Sequence, residues 1–142
     1  MDIVIRYVFK HRATGNIEIK IYSISQLEER SAQKLSPCFN ETDYELIARN
    51  LFTGLKDKNG VWIYEGDNVR LTNESGFSSL GEVQFNDGCF EAKFQSGLPV
   101  FNGARHHYTK YQDYVKVFAA NHAIEVVGNI YENPSPLEGA EL

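Results

Sequence analysis

The stretch Leu51-Phe-Thr-Gly54-Leu-Lys-Asp57-Lys-Asn-Gly60-Val-Trp62-Ile-Tyr64-Glu65-Gly66-Asp67-Asn-Val-Arg-Leu71 decides the fold. Gly54, Asn59-Gly60 and Glu65-Gly66-Asp67 are three turn signals in close succession. The four residues Val61–Tyr64 fit a short strand between the second and third, and Val69 and Leu71 begin another. A chain that reverses this often cannot wind a full amphipathic helix, so it reads as short strands joined by tight turns.

The flanks extend the same reading. Ile3–Lys10 alternates, with Ile3, Ile5, Tyr7 and Phe9 on one face and Val4, Arg6, Val8 and Lys10 on the other. Ile17–Tyr22 alternates again, and Gly15 between the two runs suits a turn, which predicts a hairpin. Ser25-Gln-Leu-Glu28 has capping-box spacing, and Ile24, Leu27, Ser31 and Leu35 follow helical spacing until Pro37. This predicts one helix over 25–35, and Tyr44–Arg49 reads as a strand after it.

Downstream, Gly81–Phe85 and Cys89–Gln95 flank Asp87-Gly88, a strong hairpin signal. Phe90, Ala92 and Phe94 share a face that should meet Val83 and Phe85. Tyr108, Tyr111, Val115 and Phe118 stand at helical spacing, with a strand from Tyr114 to Phe118 as the competing reading. Ile124–Tyr131 is a final strand, ended by Asn133-Pro-Ser-Pro136.

No β/α alternation appears, which excludes a doubly wound sheet. The expectation is a mainly β (β-rich α+β) chain: a lobe over 1–52 made of a β-hairpin, a helix and a strand, packed on a small, partly open barrel over 53–133, and an acidic tail over 134–142.

Composition narrows the function classes. The 142 residues are 42% hydrophobic and 23% charged, near the globular average and far from a disordered chain. No apolar run reaches the ~20 residues of a membrane span, and no basic-then-apolar leader opens the sequence. Two cysteines, Cys38 and Cys89, are too few for a disulfide scaffold and fit a reducing, cytoplasmic setting. The net charge of -5 falls entirely after residue 52, which disfavours nucleic acid as a partner.

Three blocks carry a resemblance: Phe52-Thr-Gly-Leu-Lys-Asp-Lys-Asn-Gly60, Ile63-Tyr-Glu-Gly-Asp67 and Ile124-Glu-Val-Val-Gly-Asn-Ile-Tyr-Glu-Asn-Pro134. In this order, with Gly81-Glu-Val-Gln-Phe85 and Asp87-Gly88 between them, they resemble the signature of the YopX family, small proteins of phages and prophages. The resemblance implies a mainly β fold whose C-terminal half is an SH3-like barrel. It brings no activity, substrate or cofactor. Val61, Trp62 and Asn68 depart from the family's pattern.

The blocks have a physical reading of their own. Gly54, Gly60 and Gly66 suit turns or close backbone approach, Asp57 and Asp67 suit Asx-type turns, and Gly128 inside a strand suits a bulge. The competing functional reading gathers Asp57, Glu65 and Asp67 into an acidic site.

Other chemistry finds little support. His106-His107, His122, His11 and Cys89 lack ligand spacing, so no metal and no cofactor are expected. Cys89 with His107 or His122 is a conceivable nucleophile–base pair, but Cys89 opens a hairpin strand and reads as a buried structural residue. No nucleophile elbow, phosphate loop or carboxylate dyad is present.

Basic and aromatic residues interleave at Arg105, Tyr108, Lys110, Tyr111 and Lys116, as in single-strand nucleic-acid platforms. The favoured expectation is a non-enzymatic binding or assembly module. It would pair with itself as a homo-oligomer, or with a host or phage protein, through Trp62, Tyr108, Tyr111 and Tyr114. A single-stranded nucleic-acid binder and an enzyme with a loop-built site are the alternatives.

Overall fold

The computed structural model describes residues 3–30, 32–72, 76, 78–94 and 114–132. The chain divides into two compact units, Met1–Phe52 and Thr53–Leu142. Its described elements are mainly strand, arranged in two antiparallel sheets.

In the first unit, β1 (Val4–His11) and β2 (Ile17–Ser23) form the expected hairpin, paired from Val4↔Ser23 to Lys10↔Ile17. The other neighbour of β1 is β3 (Tyr44–Lys56), with a register shift between Val8 and Phe9. Tyr7 and Phe9 share one face with Tyr22 and Tyr44, because residues directly opposite across a ladder point the same way. The ring of Phe39 closes this cluster edge-to-face, with centroids 5.0 Å from Phe9 and 5.4 Å from Tyr7. The Tyr22 hydroxyl donates to Leu35 O at 3.1 Å, so a buried ring also has its polar end satisfied.

The single helix expected over 25–35 is two pieces, α1 (Ile24–Glu29) and α2 (Ala32–Leu35), followed by a 3-10 turn at Pro37–Phe39. The capping box is Ser23 with Gln26, two residues earlier than Ser25 with Glu28. The sheet explains the choice: Ile24 N still donates to Ile3 O, so β2 ends at Ser23 and the helix must start there.

β3 runs on past the expected Arg49 to Lys56 and so enters both units. β4 (Trp62–Tyr64) is its other neighbour, and the Thr53 hydroxyl donates to Ile63 O at 2.8 Å.

The second unit holds a five-stranded sheet. Its strands are β5 (Asp67–Thr72), β6 (Ser78–Asn86), β7 (Cys89–Phe94), β8 (Tyr114–Lys116) and β9 (Ile124–Asn129), in the order β8-β7-β6-β5-β9. Among the described residues the sheet does not close; β8 and β9 are its edges. Ile63, Val69, Leu71, Val83, Ala92, Phe94, Val117 and Ile124 form its core.

The β6–β7 hairpin turns at Asp87 and Gly88, both with positive φ (+51° and +82°), the geometry a two-residue turn needs to match strand twist. The helical stripe expected through Tyr108, Tyr111, Val115 and Phe118 is corrected. Tyr114–Lys116 is strand, and helix α3 covers only Val117–Ala120. Strand alternation turns Val115 inward, and the change to helix at Val117 resets the phase, so Val117 is buried and Phe118 is 67% exposed. Tyr108 and Tyr111 lie outside the described residues, as does the tail over 134–142.

Candidate functional site

The turn-rich stretch and the last strand meet in the second unit. The Asp57 carboxylate is the hub. Its Oδ1 accepts from Asn59 N at 2.8 Å and Val61 N at 2.9 Å, and its Oδ2 accepts from Val126 N at 2.8 Å. Around it, Asp57 N donates to Val61 O, Lys58 N to Ile124 O, and the Asn121 amide to Lys56 O. One buried carboxylate thus closes the loop at residues 57–61 and fastens it to β9, 69 positions away.

The second turn is built alike. Asp67 Oδ2 accepts from Tyr64 N at 2.8 Å. Gly66 N donates to Val83 O, and Gly66 O accepts from Ile130 N, so the residue at this bend is held from two sides. Gly54, Gly60 and Gly66 have φ of +85°, +84° and +86°. At Gly128, with φ +155°, the β5–β9 register shifts between Asn68 and Val69, leaving Val127 as the extra residue of a bulge. Asn129 then accepts from Tyr131 N and Glu132 N and donates to Glu132 Oε1 at 2.7 Å. Asn129 belongs to the quoted block, but its capping role is visible only with the turn it closes.

Asp57 and Asp67 are therefore each bonded to backbone N–H groups of their own turns, and Glu65 lies half-buried beside the second. No group of three or more His, Cys, Asp or Glu among the described residues is disposed to hold a metal ion. No described helix is long and apolar enough to cross a membrane.

On the surface, two successive residues are exposed, Val61 (46%) just before β4 and Trp62 (43%) at its start; β4 is the end strand of its sheet among the described residues. Two large apolar groups thus stand in solvent. Tyr114 is exposed too, with Lys93 Nζ 5.8 Å from its ring centroid.

Of the basic–aromatic series, Arg105, Tyr108, Lys110 and Tyr111 lie outside the described residues, as does His107. Lys116 is described and is engaged: Nζ donates to Glu91 Oε1 at 3.0 Å and to Cys89 Sγ at 3.0 Å. Those two bonds, the cysteine's first, raise the lysine above its ordinary range. Cys89 is half-buried, less enclosed than its strand position suggested, because it is the first residue after the turn. Its contact with Lys116 had no local sequence signal: alternation pairs Cys89 with Glu91, but the lysine arrives through β7–β8 pairing.

The model of a family described as YopX protein matches residues 8–138. Among solved structures the chain is similar to protein EF1440 from Enterococcus faecalis, at 24% identity over 92% of this chain and 74% of that one, with a TM-score of 0.39. It is also similar to protein YopX from Bacillus subtilis, at 17% identity over 95% of this chain and 96% of that one, with a TM-score of 0.44. No curated protein matches it. With the signature glycines at the bends, the carboxylates on the turns and a family match that runs through both units, the chain belongs to the YopX family.

Proposed function

We propose that this protein is a phage- or prophage-encoded cytoplasmic module that works by binding and assembly rather than by catalysis, with a second copy of itself as the first partner. The observation that carries the reading is Trp62, exposed on the three-residue strand β4 at the end of its sheet, with Val61, the exposed residue just before that strand, beside it in the chain. Edge strands offer backbone groups for pairing, and Trp is enriched among residues that dominate interfaces. The engagement of Asp57 and Asp67 with turn backbone supports the same reading, since those carboxylates are used in holding the scaffold.

Multi-angle light scattering over a range of concentrations tests it. The expected result is a mass that rises with concentration, and a Trp62→Ala variant that stays monomeric while keeping a native circular dichroism spectrum. A monomer mass at every concentration overturns the self-assembly reading.

A further inference from the structure

Cys89, Glu91 and Lys116 occupy one face of the five-stranded sheet, opposite the core face that carries Phe90, Ala92 and Val115. Glu91 stands directly across from Lys116 in the β7–β8 pair, and Cys89 is two residues from Glu91 on the same side. The lysine side chain leans across the pair, so that Nζ lies 3.0 Å from Sγ and 3.0 Å from Oε1. The side chain of Glu91 is 9% exposed and that of Lys116 is 47% exposed, and Cys89 is itself only half-buried, so the cluster is open to a small solute. A sulfur beside a cation and within reach of solvent has the two traits of an oxidisable cysteine. Cys38, by contrast, is buried.

We propose that Cys89 and Lys116 are a modification site at which hydrogen peroxide drives formation of a covalent S–N bond between the two side chains. The sulfur attacks one peroxide oxygen and the O–O bond breaks. Sulfur is oxidised by two electrons, the peroxide is reduced, and one water leaves behind a sulfenic acid. The ammonium passes a proton to Glu91 Oε1. The freed amine of Lys116 then attacks Sγ; the S–N bond forms, the S–O bond breaks, and the hydroxide departs as water with the second nitrogen proton. The product ties β8, an edge strand of three residues, covalently to β7.

The test treats the full chain with hydrogen peroxide, digests it, and reads the peptides by mass spectrometry. The expected product is the pair of peptides holding Cys89 and Lys116, joined, lighter than their sum by two hydrogen atoms, and separated again by a thiol reductant. In Lys116→Met the joined pair disappears and Cys89 is captured by dimedone as a free sulfenic acid. Cys38 in the same digest is the internal reference. Peptides that stay separate after treatment, a joined pair that retains an oxygen, or Cys89 no more oxidised than Cys38, each overturns the proposal.

Discussion

Asp57 shows how much structure one short side chain can hold. Three backbone N–H groups from two separate segments converge on its two oxygens, and the residue is buried. Replacing it with Ala strands those donors, and a lost hydrogen bond to a charged acceptor costs about 1.5–3 kcal/mol. Asp57→Ala should therefore lose about 3 kcal/mol or more in urea unfolding. Asp57→Asn should lose less, because it keeps one acceptor oxygen but turns an amide towards a donor. Equal losses in the two variants would show that the charge, not the geometry, matters.

Gly81 is constrained differently. A Cβ there would meet Lys93 O at 2.5 Å and Phe94 Cδ1 at 2.8 Å, so β7 lies too close for any side chain. Gly81→Ala should cost about 1–3 kcal/mol by the same measurement, as overpacking in a core typically does. In the sequence Gly81 is an ordinary first residue of an alternating run; only its cross-strand neighbour Phe94 reveals the constraint.

Elements were legible where their signals are local. The β6–β7 hairpin follows from Asp87-Gly88 between two alternating runs, because a two-residue turn with positive φ at both positions leaves one register available. Gly88→Ala at φ +82° should destabilise the hairpin by about 1–2 kcal/mol, read from the thermal midpoint. The start of α1 is ambiguous in the sequence because Ser23 with Gln26 and Ser25 with Glu28 offer the same capping chemistry two residues apart. The choice belongs to the sheet, which keeps Ser23 paired with Val4. Ser23→Ala should thus cost about 1 kcal/mol, the usual value of a lost N-cap, and Ser25→Ala almost nothing. A reversed order would contradict the assigned cap. Over 114–120 neither the helical stripe nor the competing strand holds throughout, with strand at Tyr114–Lys116 and helix at Val117–Ala120, because a three-residue strand and a four-residue helix are each too short to set a period.

At the scale of the whole molecule, the ionisable groups give a direction for pH. Tyr44 is raised above its ordinary value, chiefly by burial and then by the charge of Cys38. Lys116 is raised by its bonds to Cys89 and Glu91. Both groups hold their protons more tightly in the folded chain than in the unfolded one. Their stabilising effect is therefore complete below the unfolded values of 10.0 and 10.5, and is lost as pH climbs through the higher folded values. The urea midpoint should fall on the alkaline side of that range, with a shallower fall in Lys116→Met. A midpoint that holds or rises there would contradict both assignments. The effect is small, because both groups keep contact with solvent, which screens them.

The sequence alone determined what depends on near neighbours along the chain: mainly β character, the strand faces, the hairpins, the turn-forming glycines, and the family that their spacing resembles. Alternation assigns a residue to a face, but it cannot say which strand lies beside it. Tertiary structure decided the partners: Val126 for Asp57, Val83 for Gly66, Lys116 for Cys89, and solvent for Trp62. Each of those three bonds joins residues at least 17 positions apart, brought together by sheet pairing and core burial, and a period of two carries no record of them.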